Sequence, residues 1–99
     1  MNIKLNNRYI NELLEYEKVQ NGLYIVATPI GNLGDITLRS LKILSCVDLI
    51  LCEDTRISKK LTNKYGIKTQ LKPFHKFNST NFIPLIIKKL QAGLSIAII

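Results

Sequence analysis

The feature that most constrains this chain is an alternation of strand-length apolar runs with helix-period segments, beginning at Leu23 and continuing to Ile99. Residues Leu23 to Thr28 (LYIVAT) form an apolar run of strand length, ended by Pro29 and a glycine-containing loop. From Thr37 onward, Leu38, Leu41, Leu44 and Val47 recur at three-residue steps, a helical period. Asp48 to Cys52 is a second apolar run; Ile57, Leu61 and Tyr65 then stand four apart in 55–65, and Gly66 ends that segment as a helix-terminating glycine does. A weaker third strand is expected over 69–75. Ile83, Ile86, Ile87 and Leu90 mark a helix over 79–92 closed by Gly93, with Pro84 expected in its first turn or at a kink. Ser95 to Ile99 is the fourth strand. The order β-α-β-α-β-α-β predicts an α/β fold: a mainly parallel sheet of about four strands joined by right-handed crossover helices. Unbroken apolar strands predict cover on both faces of the sheet.

Residues 1–21 differ from the rest. They are Asn-rich and electrically neutral, with one thin apolar stripe (Ile10, Leu13, Leu14) that fits a short helix near 8–18, and Asn21-Gly22 reads as a closing turn. The expected organisation is an N-terminal extension over 1–21 and an α/β unit over 22–99. No apolar core of a leader peptide precedes it, so no secretory signal is expected. The longest apolar runs are four or five residues, against about 20 for a membrane-spanning helix. Cys46 and Cys52 are six apart; with a single histidine they make no zinc set, and they read as buried free thiols of a cytoplasmic protein. The sequence stops inside its fourth apolar run, where an α/β sheet ordinarily continues into a ligand-bearing loop. The expectation is therefore the front part of a longer α/β protein, incomplete as a unit, inactive alone, and with its fourth strand uncovered.

The formal charge is +7, and all of the excess lies in 22–99. Between 56 and 76 stand Arg56, Lys59, Lys60, Lys64, Lys68, Lys72 and Lys76 with no acid among them. Such a stripe attracts phosphate backbones. A chain this rich in Lys, Asn and Ile also accumulates surface lysines without a polyanionic partner, so charge alone leaves both readings open.

Three polar loops follow the first three strands. The first, Thr28 to Thr37 (TPIGNLGDIT), has Gly31 and Gly34 able to take positive φ and approach a ligand, with Asp35 and Thr37 as candidate helix caps. Its glycines are spaced GxxG, so it is neither a P-loop nor a dinucleotide fingerprint. It reads as a nucleotide-like cofactor loop or as an ordinary tight turn. The second, Glu53-Asp54-Thr55-Arg56, could hold hydroxyls or an amine through its acids and a phosphate through its guanidinium; alternatively, Asp54 or Thr55 caps a helix and Arg56 is solvated. The third ends in His75, followed by Asn78; a histidine here is either a general base or a plain loop residue. In a parallel sheet all three would share the carboxyl rim, hence one cleft.

Read together, residues 23–39 (LYIVATPIGNLGDITLR), Val47 to Ile50 with Cys52 to Arg56 (CEDTR), and Gly66 to Thr69 closely resemble the ribosomal RNA small subunit methyltransferase I family. That family belongs to the tetrapyrrole-methylase (class III) superfamily of S-adenosylmethionine-dependent methyltransferases. The resemblance implies 2′-O-methylation of a cytidine ribose in 16S rRNA of the small ribosomal subunit, in the bacterial cytoplasm, by a two-domain homodimer with S-adenosyl-L-methionine between its domains, and neither DNA nor membrane as partner. By position it assigns Pro29, Gly31, Asn32, Gly34 and Asp35 to the cofactor side, and Glu53, Asp54, Thr55, Arg56 and His75 to the substrate side, with Asn78 beside His75. It names no catalytic base and no metal. Two departures are visible: Lys76-Phe77 stand where the family has an acid and a second histidine, and the Ser-Asp-Ala-Gly-Thr-Pro loop that follows the family's fourth strand does not occur. A non-catalytic basic RNA-binding module or a decayed gene product is the alternative. A methylase acting on a tetrapyrrole is disfavoured, since a porphyrinoid needs no seven cations.

Overall fold

The computed structural model describes residues 19–75 and 78–99; the expected helix near 8–18 and Lys76 lie outside them. The elements are β1 (Gly22–Ile25), a 3-10 turn (Leu33–Asp35), α1 (Leu38–Cys46), β2 (Leu49–Cys52), α2 (Thr55–Tyr65), β3 (Leu71–Pro73), α3 (Ser79–Gln91) and β4 (Ser95–Ile98). All three strand pairings are parallel, in the order β1-β4-β2-β3.

Local signals set the helix ends. The Thr37 hydroxyl accepts from the Ser40 amide at 3.0 Å and starts α1. The Asp54 carboxylate accepts from the Arg56 amide at 2.9 Å and starts α2. Gly66, at φ 67° and ψ 26°, ends α2 in the left-handed region, where a side chain is costly. α3 runs through Pro84, which is neither in the first turn nor at an end. Its missing N–H leaves the Thr80 carbonyl without an intrahelical donor; both residues are exposed, so water can supply one.

Two clusters divide the core by sheet face. Leu41 and Leu44 of α1 and Leu61 of α2 pack with Val26, Ile50 and Ala97 on one face. Ile86 of α3, with Phe82 and Leu90, packs with Leu49, Leu51 and Ile96 on the other. Successive strand residues therefore alternate between faces, as the pleat requires.

The sheet corrects two expectations. β4 is not uncovered: it is inserted between β1 and β2, with Ile96 paired to both Leu23 and Leu49, and Ile96 and Ala97 are wholly buried. Cover on both faces holds for β2 and β4 but not for β1, whose residues alternate between half-buried and exposed. Leu23 and Ile25, 48% and 77% exposed, lie at the sheet edge on the face that α3 covers only farther across. At the amino ends of the inner strands, Asp48 accepts from the Ser95 amide at 2.8 Å and the Ser95 hydroxyl at 3.0 Å, fixing the β2–β4 register.

Candidate functional site at the carboxyl rim

Parallel strands all end on one rim. α2 leaves that rim toward one face and α3 toward the other, so the chain diverges between β2 and β3 and opens a crevice there. A depression of about 700 Å³ fills it, bordered by residues from all four strand ends: Thr28 after β1, Glu53 and Asp54 after β2, His75 after β3 and Ile99 after β4. The first turn of α2 adds Arg56, Ile57 and Ser58. Such a volume lies within the range of small-molecule clefts, about 300–1,000 Å³.

The acid–acid–threonine–arginine turn is locally built. Asp54 both caps α2 and faces Arg56, whose Nε and Nη2 each lie 3.4 Å from a carboxylate oxygen. The Arg56 side chain donating to it, reinforced by the Arg56 amide, holds the Asp54 carboxyl below its ordinary range, so it is ionised at neutral pH. Arg56 remains 90% exposed in its side chain and keeps donors for a ligand. Beneath the turn, the buried Cys52 thiol points to the Lys72 carbonyl at 3.8 Å, and burial pushes its pKa up. Thr55 faces the other way, into a separate groove between α2 and β3.

The β3–α3 corner is held by Asn78. Its side-chain oxygen accepts from the His75 amide at 2.8 Å and its nitrogen donates to the Pro73 carbonyl at 2.9 Å. Both ends of that amide are thus spent on backbone, and His75 is presented to the depression while Asn78 does not border it.

The TPIGNLGDIT loop forms a smaller depression of about 220 Å³ beside the first, bordered by residues 27–30 and 35–37; Thr28 borders both. Pro29 and Asp35 line it, whereas Gly31, Asn32 and Gly34 build the turn behind it. Two details differ from the sequence reading. Only Gly31 takes a positive φ, 93°; Gly34 does not, but a Cβ there would stand 3.1 Å from the Asn32 side-chain oxygen. That oxygen accepts from the Gly34 amide at 2.8 Å, so a side chain at 34 would crowd the Asn32 turn rather than meet a handedness penalty. Asp35 does not cap α1: it closes the 3-10 turn, and Thr37 takes the cap. The Tyr65 hydroxyl, donating to the Leu33 carbonyl at 2.6 Å, ties this loop to α2.

Thr28, Ile57, Ser58 and Ile99 border the main depression without having been singled out as site residues from the sequence. Ser58 stands one helical turn after Asp54, a signal available in the sequence once α2 is capped there. Ile57 is 65% exposed although apolar, which fits a ligand-facing position.

The molecule is a parallel α/β unit with acids, hydroxyls, a guanidinium and an imidazole gathered around one depression at its strand-carboxyl rim. The sequence profile described as Tetrapyrrole (Corrin/Porphyrin) Methylases matches residues 22–99, and the chain belongs to that family. Curated relatives carry the name ribosomal RNA small subunit methyltransferase I. That of Mesorhizobium japonicum is 47% identical over 81 residues, which are 82% of this chain and 28% of the relative. Those of Pasteurella multocida and Thermotoga maritima are each 53% identical over 77 residues, 78% of this chain and 27% and 35% of the relative. The chain thus spans about a third of the length of the relatives it matches. Among the described residues no helix is long and apolar enough to cross a membrane.

Proposed function

We propose that these residues supply one wall of the active cleft of an S-adenosyl-L-methionine-dependent methyltransferase that 2′-O-methylates a cytidine ribose in 16S rRNA. The observation that carries this reading is the convergence of Thr28, Glu53, Asp54, Arg56, Ser58 and His75 on a single depression at the sheet's carboxyl rim. The donor set suits the cofactor. Carboxylates at Glu53 and Asp54 match a cationic, hydroxyl-bearing and amine-bearing ligand, Ile57 and Ile99 offer apolar contact, and Thr28 and Ser58 offer hydroxyls. When bound, the cofactor supplies an electrophilic sulfonium methyl group. The protein's share is to align the ribose oxygen in line with that methyl carbon and to exclude water. In this reading the ionised Asp54 holds Arg56 at the mouth, where its free donors meet an RNA phosphate, and the loop from Pro29 to Asp35, through Gly31, Asn32 and Gly34, closes the cofactor side. The substrate setting is the small ribosomal subunit in the cytoplasm, with residues 1–21 an extension to the family unit and the full-length assembly a homodimer. Turnover requires the remainder of the length found in the relatives.

The test is a graft. Residues 22–99 replace the matching segment of the Thermotoga maritima relative, and 16S rRNA methylated by the chimera is mapped for ribose methylation. A 2′-O-methyl cytidine made by the chimera, and none by the 99-residue chain alone, supports the reading. A folded chimera that leaves every cytidine ribose unmethylated overturns it. The run of lysines over 56–76, which has no acid within it, favours a second reading, a non-catalytic RNA-binding module; calorimetry separates the two, since only the first has the chimera bind S-adenosyl-L-methionine.

A further inference from the structure

We propose that the groove between α2 and the edge strand β3 binds the sugar–phosphate backbone of a single-stranded segment of RNA and leads it to the rim depression. This rests on the reading above in taking RNA as the partner, and adds where on the surface the strand runs. The groove holds about 480 Å³ and is bordered by Thr55, Lys59, Asn63, Lys68 and Gln70 over a floor that includes Thr62, Ile67 and Leu71. No acid borders it. Lys59 and Lys68 are exposed, and among the described residues neither makes an ion pair. The Thr62 and Thr69 hydroxyls are spent on the Lys59 and Leu44 carbonyls, at 3.2 and 2.7 Å. The Thr55 hydroxyl and the Asn63 and Gln70 amides make no hydrogen bond to described residues, and stand ready for phosphate and ribose oxygens. Two cations among neutral donors, with no carboxylate among the described bordering residues, suit a phosphodiester along the groove; the rim depression, with Glu53 and Asp54, suits one only at Arg56.

Continuity with the rim gives the groove its direction. Thr55 borders the groove while its neighbours Asp54 and Arg56 border the depression, so the two share the first turn of α2. A strand laid along Lys68 and Lys59 reaches Arg56 next. The lysine spacing that reads in the sequence as an undirected stripe is thereby resolved: Lys59 and Lys68 face this groove.

The test compares two charge-matched pairs in the full 99-residue chain, by fluorescence anisotropy with a short single-stranded RNA across a salt series. One pair is K59Q/K68Q in the groove; the other is K88Q/K89Q in the last turn of α3. Each phosphate contact on a single strand contributes about 0.7 to the log–log salt slope, so losing two lowers the slope by about 1.4 and weakens binding about 25-fold near 0.1 M salt. We expect that loss for the groove pair, little change for the α3 pair, and recovery in K59R/K68R, which keeps the charges. Equal losses in both pairs, no loss in the groove pair, or no RNA binding by the parent chain each overturn the proposal. Binding is read without cofactor, so this outcome is independent of whether the chimera methylates RNA.

Discussion

Replacing Ile96 by alanine tests the placement on which the rim geometry depends. Ile96 is wholly buried, lies between Leu23 and Leu49 in register, and packs with Leu49, Leu51 and Ile86. The substitution removes three buried carbons, at about 0.8 kcal/mol each, or about 2.4 kcal/mol of transfer free energy. Neighbours from two strands and a helix cannot all collapse into the space, so a cavity contribution raises the cost to about 3–4 kcal/mol, inside the usual range of about 2–5 for such truncations. For a domain of this size each kcal/mol moves the melting midpoint by about 4–8 °C, so a drop of at least about 12 °C is expected. Urea unfolding followed by far-UV circular dichroism measures the free-energy cost and a thermal scan the midpoint, with Ile25→Ala as the reference: Ile25 is 77% exposed on β1 and its truncation should cost no more than about 0.5 kcal/mol. If Ile96→Ala costs under about 1 kcal/mol, β4 is not an inner strand, and the juxtaposition of the β1, β2 and β3 ends around Ile99 fails with it.

Other outcomes follow from single contacts. Asp54→Ala should destabilise α2 more than Asp54→Asn, which retains a capping oxygen; helicity and urea midpoints of the two variants measure this. Because Arg56 depresses the Asp54 pKa, the ionised carboxylate's contribution is fully present above its ordinary value near 3.8 and is lost as pH falls through the lower folded value; the stability gap between the parent and Asp54→Asn should close on acidification, and a gap that widens would contradict the pairing. Gly66→Ala should cost about 1–2 kcal/mol, because a Cβ meets no neighbour there and the whole penalty is backbone handedness, and Gly66→Asn should cost less, both read from urea midpoints. Cys46, half-buried, should alkylate well before Cys52, which is 2% exposed as a residue and whose thiol is held protonated by burial; peptide mapping after timed iodoacetamide treatment reports the order.

Much of the architecture is legible in the sequence because it is local. The three-residue steps of Leu38, Leu41 and Leu44, the cap at Asp54 and the glycine at 66 each act within a turn or two of chain, and the helices form where those signals stand. Boundaries were less legible at the weakest element: β3 is Leu71–Pro73 rather than 69–75, since ladder pairing to β2, not apolar pattern, decides its length. The glycine loop was legible as a loop, but the different reasons for Gly31 and Gly34 were not, because one depends on a dihedral angle and the other on where the Asn32 side chain folds back.

By itself the sequence determined the alternation of strands and helices, the parallel sense that this alternation imposes, and hence that the polar turns after β1, β2 and β3 would emerge on one rim. Only the tertiary structure decided that β4 enters between β1 and β2, that Thr55 turns away from Asp54 and Arg56, and that Lys59 and Lys68 share a groove. Period and capping are fixed by neighbours in the chain, whereas strand order and side-chain convergence are fixed across tens of residues, by which apolar faces bury one another, as Ile96 and Leu49 do, and by polar ties such as Ser95 to Asp48.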